Sequence, residues 1–327
     1  MKTTSITDNY QEQTGVIKKL DYFFVLRPML FFPGWSTLLA GFLINSKSEI
    51  VSNTDTILQT NYFLIVSVMI IFGAAMGMSF LMNQLKDIES DRRNNKLFII
   101  SEGHITRTAV IIEIILLCLI AVLGGFAISF ITGWLILVFI VITGYLYNYR
   151  PFILKDRPMG SLTANASMGW MAFALGWTLS RTGSSELILD SIPYLFFNTA
   201  LYLFTLLPDI DGDRETSKKT LAVLLGMHRI IYGAFLFYSV SFVSSILLKD
   251  WQICFVIVLA FPFFLNTIIK KEKSTTLMAT KFSILFFAVM ICLKIPAYLI
   301  LMVSVFFLTR WYFRARFNFD YPNFKGT

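Results

Sequence analysis

Three polar side chains follow a long apolar run at a spacing that suits a metal site. Asn83, Asp87 and Asp91 are four residues apart in "MNQLKDIESDRRNNK" (82–96). In a continuous helix, side chains at this spacing point within about 40° of one another over two turns. Such a face would carry one amide and two carboxylates. Oxygen ligands of this kind suit Mg²⁺, which usually shares its coordination sphere with substrate phosphates.

Basic side chains accompany this acidic face. Lys86, Arg92, Arg93 and Lys96 lie within the same segment, and no proline between Pro33 and Pro151 forces the helix to stop. A diphosphate bound through Mg²⁺ would use both the acids and the bases. The alternative is a solvated segment at the membrane surface with i, i+4 ion pairs.

A second acidic segment has the same design. In "LLPDIDGDRETSKKTLAVLLG" (206–226), Asp209 and Asp213 are four residues apart, and Arg214 and Lys219 follow them. Asp211 would fall on the opposite side of a helix. The alternative is a polar loop. Two acidic faces that meet across a bundle could hold more than one Mg²⁺ ion on one diphosphate.

The elements that must position these residues are membrane helices. Of the 327 residues, 56% are hydrophobic, and the mean hydropathy is +0.68. Soluble domains do not sustain such composition in long uncharged runs. The net charge of +8 could indicate nucleic acid, but the bases lie between hydrophobic segments, where membrane topology explains them.

Eight apolar runs and one longer region predict an all-α, polytopic membrane helix bundle of nine or ten spans. Pro296 interrupts the last region and predicts two helices or a kink there. The predicted spans are 22–45, 61–82, 108–127, 130–148, 161–180, 191–208, 229–248, 251–269 and the region 275–312.

Charge bias orients the chain. All but four of the 28 Lys and Arg residues fall on one side, and the exceptions are Lys47, Arg181, Lys249 and Lys294. The excess of bases predicts that this side is cytoplasmic. The amino terminus and both acidic segments are predicted to lie on the same side. We expect a polar segment at 1–20, one transmembrane domain at 21–312 and a basic cytoplasmic tail at 313–327.

In its motifs the chain resembles the UbiA superfamily of intramembrane prenyltransferases, of which 4-hydroxybenzoate polyprenyltransferase is one type. That family carries an NxxxDxxxD motif after its second helix and a DxxxD motif after its sixth. "LRP" (26–28), "YNYRPFILK" (147–155) and "GDRETSKKTLAVLLG" (212–226) are similar to further family motifs. Two departures are Ser217, where the family usually has glycine, and Leu206, where many members have aspartate.

The resemblance implies a Mg²⁺-dependent transfer of a prenyl group from a polyprenyl diphosphate to a lipophilic acceptor, expected to be aromatic. Diphosphate is released, and the reaction takes place in a cavity among the membrane helices. Quinone biosynthesis and the plasma membrane of a prokaryote are the expected setting. Membrane lipid is an expected partner, and nucleic acid is not.

The resemblance also implies roles for single residues. Asn83, Asp87, Asp91, Asp209 and Asp213 would hold Mg²⁺; Arg27, Lys155, Lys219, Arg92 and Arg214 would contact the diphosphate; Tyr147 would face the reacting carbon or the acceptor; and Asn165 would line the cavity. Simpler alternatives stay open. Arg27 could be a residue that extends its charged end to the membrane–water interface. Lys155 and Lys219 could be positive charges that only orient the chain in the membrane. Tyr147 could be an interfacial aromatic, and Asn165 could bond between helices.

Two other functions compete with prenyl transfer. A terpene cyclase on the same scaffold would act on the diphosphate alone and need no acceptor. A cation-coupled transporter would place its acids near the bilayer midplane on broken helices. The acids here follow the spans and have basic neighbours, which favours a diphosphate ligand.

Overall fold

The computed structural model describes residues 15–46, 54–93, 98–179, 186–215 and 219–322. Within these ranges, the side chains of residues 15–16, 45–46, 54–61, 90–93 and 98 lie outside the description. Every regular element in the described part of the chain is helical. The predicted all-α class is therefore confirmed.

Ten helices of 11 residues or more form the bundle in the described ranges. They are α1 (Phe31–Ser46), α2 (Thr54–Arg93), α3 (Arg107–Ile128), α4 (Phe130–Ile140), α5 (Pro158–Trp177), α6 (Glu186–Thr205), α7 (Met227–Leu247), α8 (Trp251–Lys270), α9 (Lys273–Lys294) and α10 (Pro296–Phe317). A π-helical turn, Val141–Leu146, continues α4.

Short helices fill the connections. Gly15–Lys19, Asp21–Phe24 and the 3₁₀ turn Pro28–Leu30 precede α1, and Phe98–Ser101 lies between α2 and α3. A 3₁₀ turn, Leu154–Asp156, precedes α5, and Ile210–Glu215 and Leu221–Leu225 lie between α6 and α7.

The lengths of these helices match a membrane. Eight described segments are long and apolar enough to cross one, if Ile17–Ile44 is counted as a single span, and Phe130–Leu146 is a shorter apolar helix. α5 is 20 residues long but richer in small and polar residues. The region 275–312 forms two helices of 22 residues each. Pro296 begins the second, at a position where the helix needs no backbone donor.

α1 and α5 cross with their backbones almost in contact. A Cβ atom on Gly41 would strike the carbonyl oxygen of Phe173, and one on Gly176 would strike that of Leu38. Small residues permit such close approach of membrane helices. The crossing fixes α5 against α1, and both helices contribute to the cavity described below.

Candidate active site

Asn83 and Asp87 lie one turn apart, where α2 continues past its apolar run. α2 is unbroken from Thr54 to Arg93, so both side chains share one face, as their spacing predicts. Both are half-buried. The backbone of Asp91 and Arg92 belongs to the same helix, but their side chains lie outside the described residues. The roles of those two residues stay predictions.

The Lys155 ammonium pairs with the Asp87 carboxylate. Its Nζ lies 2.7 Å from Oδ1 and 2.7 Å from Oδ2. The Lys155 side chain is 14% exposed and that of Asp87 is 33% exposed. The pair joins α2 to the loop between α4 and α5, so the structure brings together two candidate residues from different motifs.

The loop that carries Lys155 has a fixed backbone. Asn148 is fully buried, and its amide donates to two carbonyls near the end of α4, at 3.1 and 3.0 Å. Ile153 has a φ of 42°, in the left-handed region that a β-branched residue adopts only at a cost. The turn Leu154–Asp156 follows and presents Lys155 to Asp87.

Arg27 lies at a sharp bend before α1 and lines the cavity. Its φ and ψ are 58° and 57°, again left-handed, and the turn Pro28–Leu30 begins at the next residue. Gln84 secures the bend from α2. Its Nε2 donates to the carbonyl of Val25 at 3.0 Å and to that of Phe80 at 3.3 Å.

A buried ion pair anchors the segment ahead of this bend. Arg316 on α10 donates from Nε and from a terminal nitrogen to the two carboxylate oxygens of Asp21, both at 3.1 Å. The Tyr312 hydroxyl donates to the same carboxylate at 2.6 Å. Phe24 stacks on the Tyr312 ring, with centroids 4.0 Å apart. The end of α10 therefore holds the chain that leads to Arg27.

A cavity of about 500 Å³ lies inside the bundle beside Asn83. Its wall is apolar over most of its area, with polar groups among the lining. The polar lining residues are Arg27, Thr37, Ser79, Asn83, Gln84, Thr143, Tyr147, Asn165, Asn198, Tyr202, Thr205 and Thr280. The apolar ones include Phe72, Met76, Phe80, Phe139, Met168, Ala172, Leu201 and Ile284. The wall suits a ligand with a long hydrocarbon part and a polar end.

Tyr147 and Asn165 meet in the wall of this cavity. Their side chains lie close together, and the Asn165 amide donates to the Ser161 carbonyl at 2.9 Å. Tyr202 lies beside Asn165 and Ser161 and lines the same cavity.

The second acidic segment forms the short helix Ile210–Glu215. The Asp213 backbone donates to the Asp209 carbonyl at 2.9 Å, so the two residues lie one turn apart, as predicted. Asp211 instead accepts from the Lys273 ammonium at 2.5 Å, and its side chain is 66% exposed. The hydrogen bond and then the charge of Lys273 lower the pKa of the Asp211 carboxyl. Asp211 therefore forms an ion pair with Lys273 and is not one of the candidate metal ligands.

The bases near this segment face solvent. Arg214 and Lys219 are both exposed, and residues 216–218 lie outside the described ranges. The residues that line the cavity include Asn83, Arg27, Tyr147 and Asn165. Asp87 and Lys155 are not among them, and neither are Asp209, Asp213, Arg214 and Lys219. The predicted roles of these four residues therefore stay predictions.

The described side chains contain no group of three or more acids, histidines or cysteines close enough to hold a metal ion. The described part of the candidate ligand set is the Asn83 amide and the Asp87 carboxylate on α2, with Asp209 and Asp213 on the other segment. All four offer the oxygen ligands that a hard cation prefers.

Sequence reasoning missed several residues that shape this site. Gln84 and Asn148 are amides inside or beside apolar runs, and that placement was a usable signal. Four other residues carried no such signal, because their contacts join distant parts of the chain. These residues are Lys273, Asp21, Tyr312 and Arg316.

A family model and several solved structures match most of this chain. The model of the UbiA prenyltransferase family matches residues 34–288. A UbiA homologue from Archaeoglobus fulgidus, solved with DMAPP and Mg²⁺, has a TM-score of 0.66 and 20% identity and covers 87% of this chain and 99% of its own. The same homologue solved with GPP and Mg²⁺ has a TM-score of 0.64 and 19% identity, with 87% and 99% covered.

A curated relative matches over a shorter stretch. The 1,4-dihydroxy-2-naphthoate octaprenyltransferase of Bacillus subtilis (strain 168) is 30% identical over 107 residues. The match spans 32% of this chain and 34% of that relative.

Proposed function

The chain belongs to the UbiA prenyltransferase family, and from that premise we propose that it transfers a prenyl group from a polyprenyl diphosphate to an aromatic, lipophilic acceptor. The acceptor gains the prenyl group, and diphosphate is released. The observation that carries the proposal is the cavity beside Asn83, with its apolar wall and its polar residues Arg27, Asn83 and Tyr147.

The polar part of the cavity suits the diphosphate. Arg27 lines it, and Lys155 lies on Asp87, one turn of α2 beyond Asn83. Cations at this position would offset the charge that develops on the departing diphosphate. Arg92, Arg214 and Lys219 are further candidates for the same task.

The oxygen-donor residues fit Mg²⁺. Asp87 already offers both carboxylate oxygens to one cation, the Lys155 ammonium, and Asn83 offers an amide oxygen on the same face. We assign Asn83, Asp87, Asp91, Asp209 and Asp213 to Mg²⁺ binding. Bound Mg²⁺ would neutralise the diphosphate and make it a better leaving group.

The apolar wall suits the prenyl chain and protects its reacting end. Departure of diphosphate leaves a carbocation-like carbon that water would quench. Phe72, Phe139 and Met76 line the cavity and keep water away from that carbon. Tyr147 and Asn165 line the same cavity; the Tyr147 ring would stabilise positive charge through its π face, and Asn165 would orient the Tyr147 hydroxyl.

The acceptor is expected to be a hydroxylated aromatic ring, as in the naphthoate prenyltransferase that matches part of this chain. Attack of the electron-rich ring carbon on the prenyl carbon forms the new C–C bond as the C–O bond to diphosphate breaks. The group on the attacked ring carbon, a proton or a carboxylate that leaves as CO₂, departs to restore aromaticity. A product of this kind is a quinone precursor.

The membrane setting follows from the helices. The chain is an integral multi-pass membrane protein. We place the amino terminus and both acidic segments on the cytoplasmic side, because nearly all bases fall there. The plasma membrane of a prokaryote is the expected location, with the domain limits given above.

Turnover of the purified full-length protein tests the proposal. The protein in detergent is given Mg²⁺, a series of prenyl diphosphates from geranyl to octaprenyl, and 1,4-dihydroxy-2-naphthoate or 4-hydroxybenzoate. The expected result is a prenylated acceptor detected by mass spectrometry, with one diphosphate released per product and none when EDTA is added.

Two results would contradict the proposal. Diphosphate release with a cyclic hydrocarbon product and no need for an acceptor would indicate a terpene cyclase. The absence of diphosphate release with every prenyl diphosphate would exclude both enzymes and favour the transporter.

A further inference from the structure

The Lys155 ammonium occupies the position on Asp87 that a metal ion would take. Its Nζ is equidistant, at 2.7 Å, from both carboxylate oxygens. A bidentate carboxylate binds a hard cation at the same pair of oxygens. The Lys155 side chain is only 14% exposed, so solvent screens this pair less than an ordinary surface ion pair.

Lys155 and a divalent cation that is held by both of these oxygens cannot occupy the same position. Metal–oxygen distances of about 2.0–2.1 Å for Mg²⁺ would bring the ion against the ammonium, and the two like charges repel. The Lys155 head must therefore leave its place between the two oxygens when both of them bind a metal ion. The turn Leu154–Asp156 fixes the backbone, but the four-carbon stem of lysine lets the head move alone.

The displaced ammonium needs a new anionic partner. The prenyl diphosphate is the anion that the proposed function brings to this end of the cavity, so the departing lysine would find it there. Lys155 would then favour binding of metal and diphosphate together over binding of either alone.

We infer that Lys155 holds the place of the metal ion on Asp87 and moves to the diphosphate when metal and diphosphate bind. This inference rests on the proposed function. It makes Lys155 a coupling residue between the two ligands, in addition to its role as a contact of one of them.

The chain offers two matched controls. Lys86 precedes Asp87 on α2 and is exposed. Lys86→Met therefore removes one positive charge near Asp87 but leaves the contact between Lys155 and the Asp87 carboxylate in place. Lys273 forms a comparable pair with Asp211 on the exposed second segment. Lys273→Met therefore breaks a lysine–aspartate pair of the same type at a residue outside the candidate ligand set.

The test is Mn²⁺ binding by electron paramagnetic resonance, with the full-length protein in detergent and no diphosphate present. Lys155→Met is expected to bind Mn²⁺ about tenfold more tightly than wild type, because Mn²⁺ no longer has to break the Lys155–Asp87 hydrogen bonds. A factor of about ten corresponds to a charged hydrogen bond of moderate strength. Lys86→Met and Lys273→Met are expected to change affinity less than about twofold. Asp87→Asn in the Lys155→Met background is expected to abolish the gain.

A second measurement follows Lys155 directly. Brief acylation with an amine-reactive reagent, followed by mass spectrometry of peptides, reports how exposed each lysine is. Labelling of Lys155 is expected to rise several-fold when Mn²⁺ alone is added, whereas labelling of Lys273 stays constant.

Equal Mn²⁺ affinity in wild type and Lys155→Met, or equal labelling of Lys155 with and without Mn²⁺, would overturn the inference. Wild-type turnover is measured in the same preparation. If turnover is present, such results reject only the place-holding role of Lys155; if turnover is absent, the proposed function itself fails.

Discussion

The side-chain amide of Gln84 donates a 3.0 Å hydrogen bond to the carbonyl of Val25, two residues before Arg27. Gln84 is 3% exposed, and the bend that it secures includes the left-handed Arg27. The position of Arg27 in the cavity therefore depends on an amide that belongs to another helix and lies beside a candidate metal ligand.

Gln84→Met keeps the volume of the side chain but removes the donor. The Val25 carbonyl then loses its partner, which costs about 1–3 kcal/mol, and Arg27 is less well held. We expect the KM for the prenyl diphosphate to rise several-fold with a smaller change in kcat, as measured by steady-state kinetics. Ser67→Ala, on the same helix, removes a bond within that helix and is the control. An unchanged KM in Gln84→Met would show that the bend does not need this bond.

The aspartates of the two acidic segments are expected to differ in their effect on turnover. Asp87→Asn and Asp213→Asn remove proposed metal ligands without a change in size and are expected to abolish diphosphate release. Asp211→Asn breaks only the exposed pair with Lys273 and is expected to retain most activity. All three variants are expected to purify as folded protein. Wild-type turnover in Asp87→Asn or Asp213→Asn would refute the metal assignment.

Tyr147 is expected to act as a neutral phenol at all working pH values. The ordinary pKa of a tyrosine phenol is about 10, so the group stays protonated well below that value. The ratio of kcat/KM between Tyr147→Phe and wild type is therefore expected to stay constant from pH 7 to about pH 9. Tyr147→Leu, which also removes the ring, is expected to lose more activity than Tyr147→Phe. A ratio that titrates within this range would contradict a neutral Tyr147.

The buried pair of Asp21 and Arg316 is expected to dominate the stability of the segment before α1. Arg316→Met leaves the Asp21 carboxylate buried with only the Tyr312 hydroxyl as a described partner. Breaking one side of a buried pair costs about 3–5 kcal/mol, so thermal unfolding in detergent is expected at a clearly lower temperature. Arg314→Met removes an exposed base from the same helix and is expected to change stability by less than about 0.5 kcal/mol. Equal losses in both variants would argue against the pair.

One additional methyl group at the crossing of α1 and α5 is expected to destabilise the protein. In Gly176→Ala the new Cβ would strike the Leu38 carbonyl, and overpacking of this kind costs about 1–3 kcal/mol. Gly233→Ala is the control, because the nearest atom to a Cβ there is Leu203 Cδ1 at 3.6 Å, an ordinary contact. The two variants are compared by thermal unfolding, and equal transition temperatures would show that the helices can separate at little cost.

The sequence determined the features that depend on local periodicity. Long apolar runs allowed only membrane helices, because backbone polar groups in lipid must be bonded within the segment. Helical spacing put Asn83 with Asp87 and Asp209 with Asp213, and it turned Asp211 away. Pro296 divided the last region into two helices.

The tertiary structure alone decided which distant residues meet. Lys155 and Asp87 are 68 residues apart in the chain, Gln84 and Val25 are 59 apart, and Arg316 and Asp21 are 295 apart. These contacts depend on the bend at Arg27, the left-handed Ile153 and the backbone approach of α1 to α5. Periodicity fixes which face of a helix a side chain occupies, but the packing of helices and loops fixes what that face contacts.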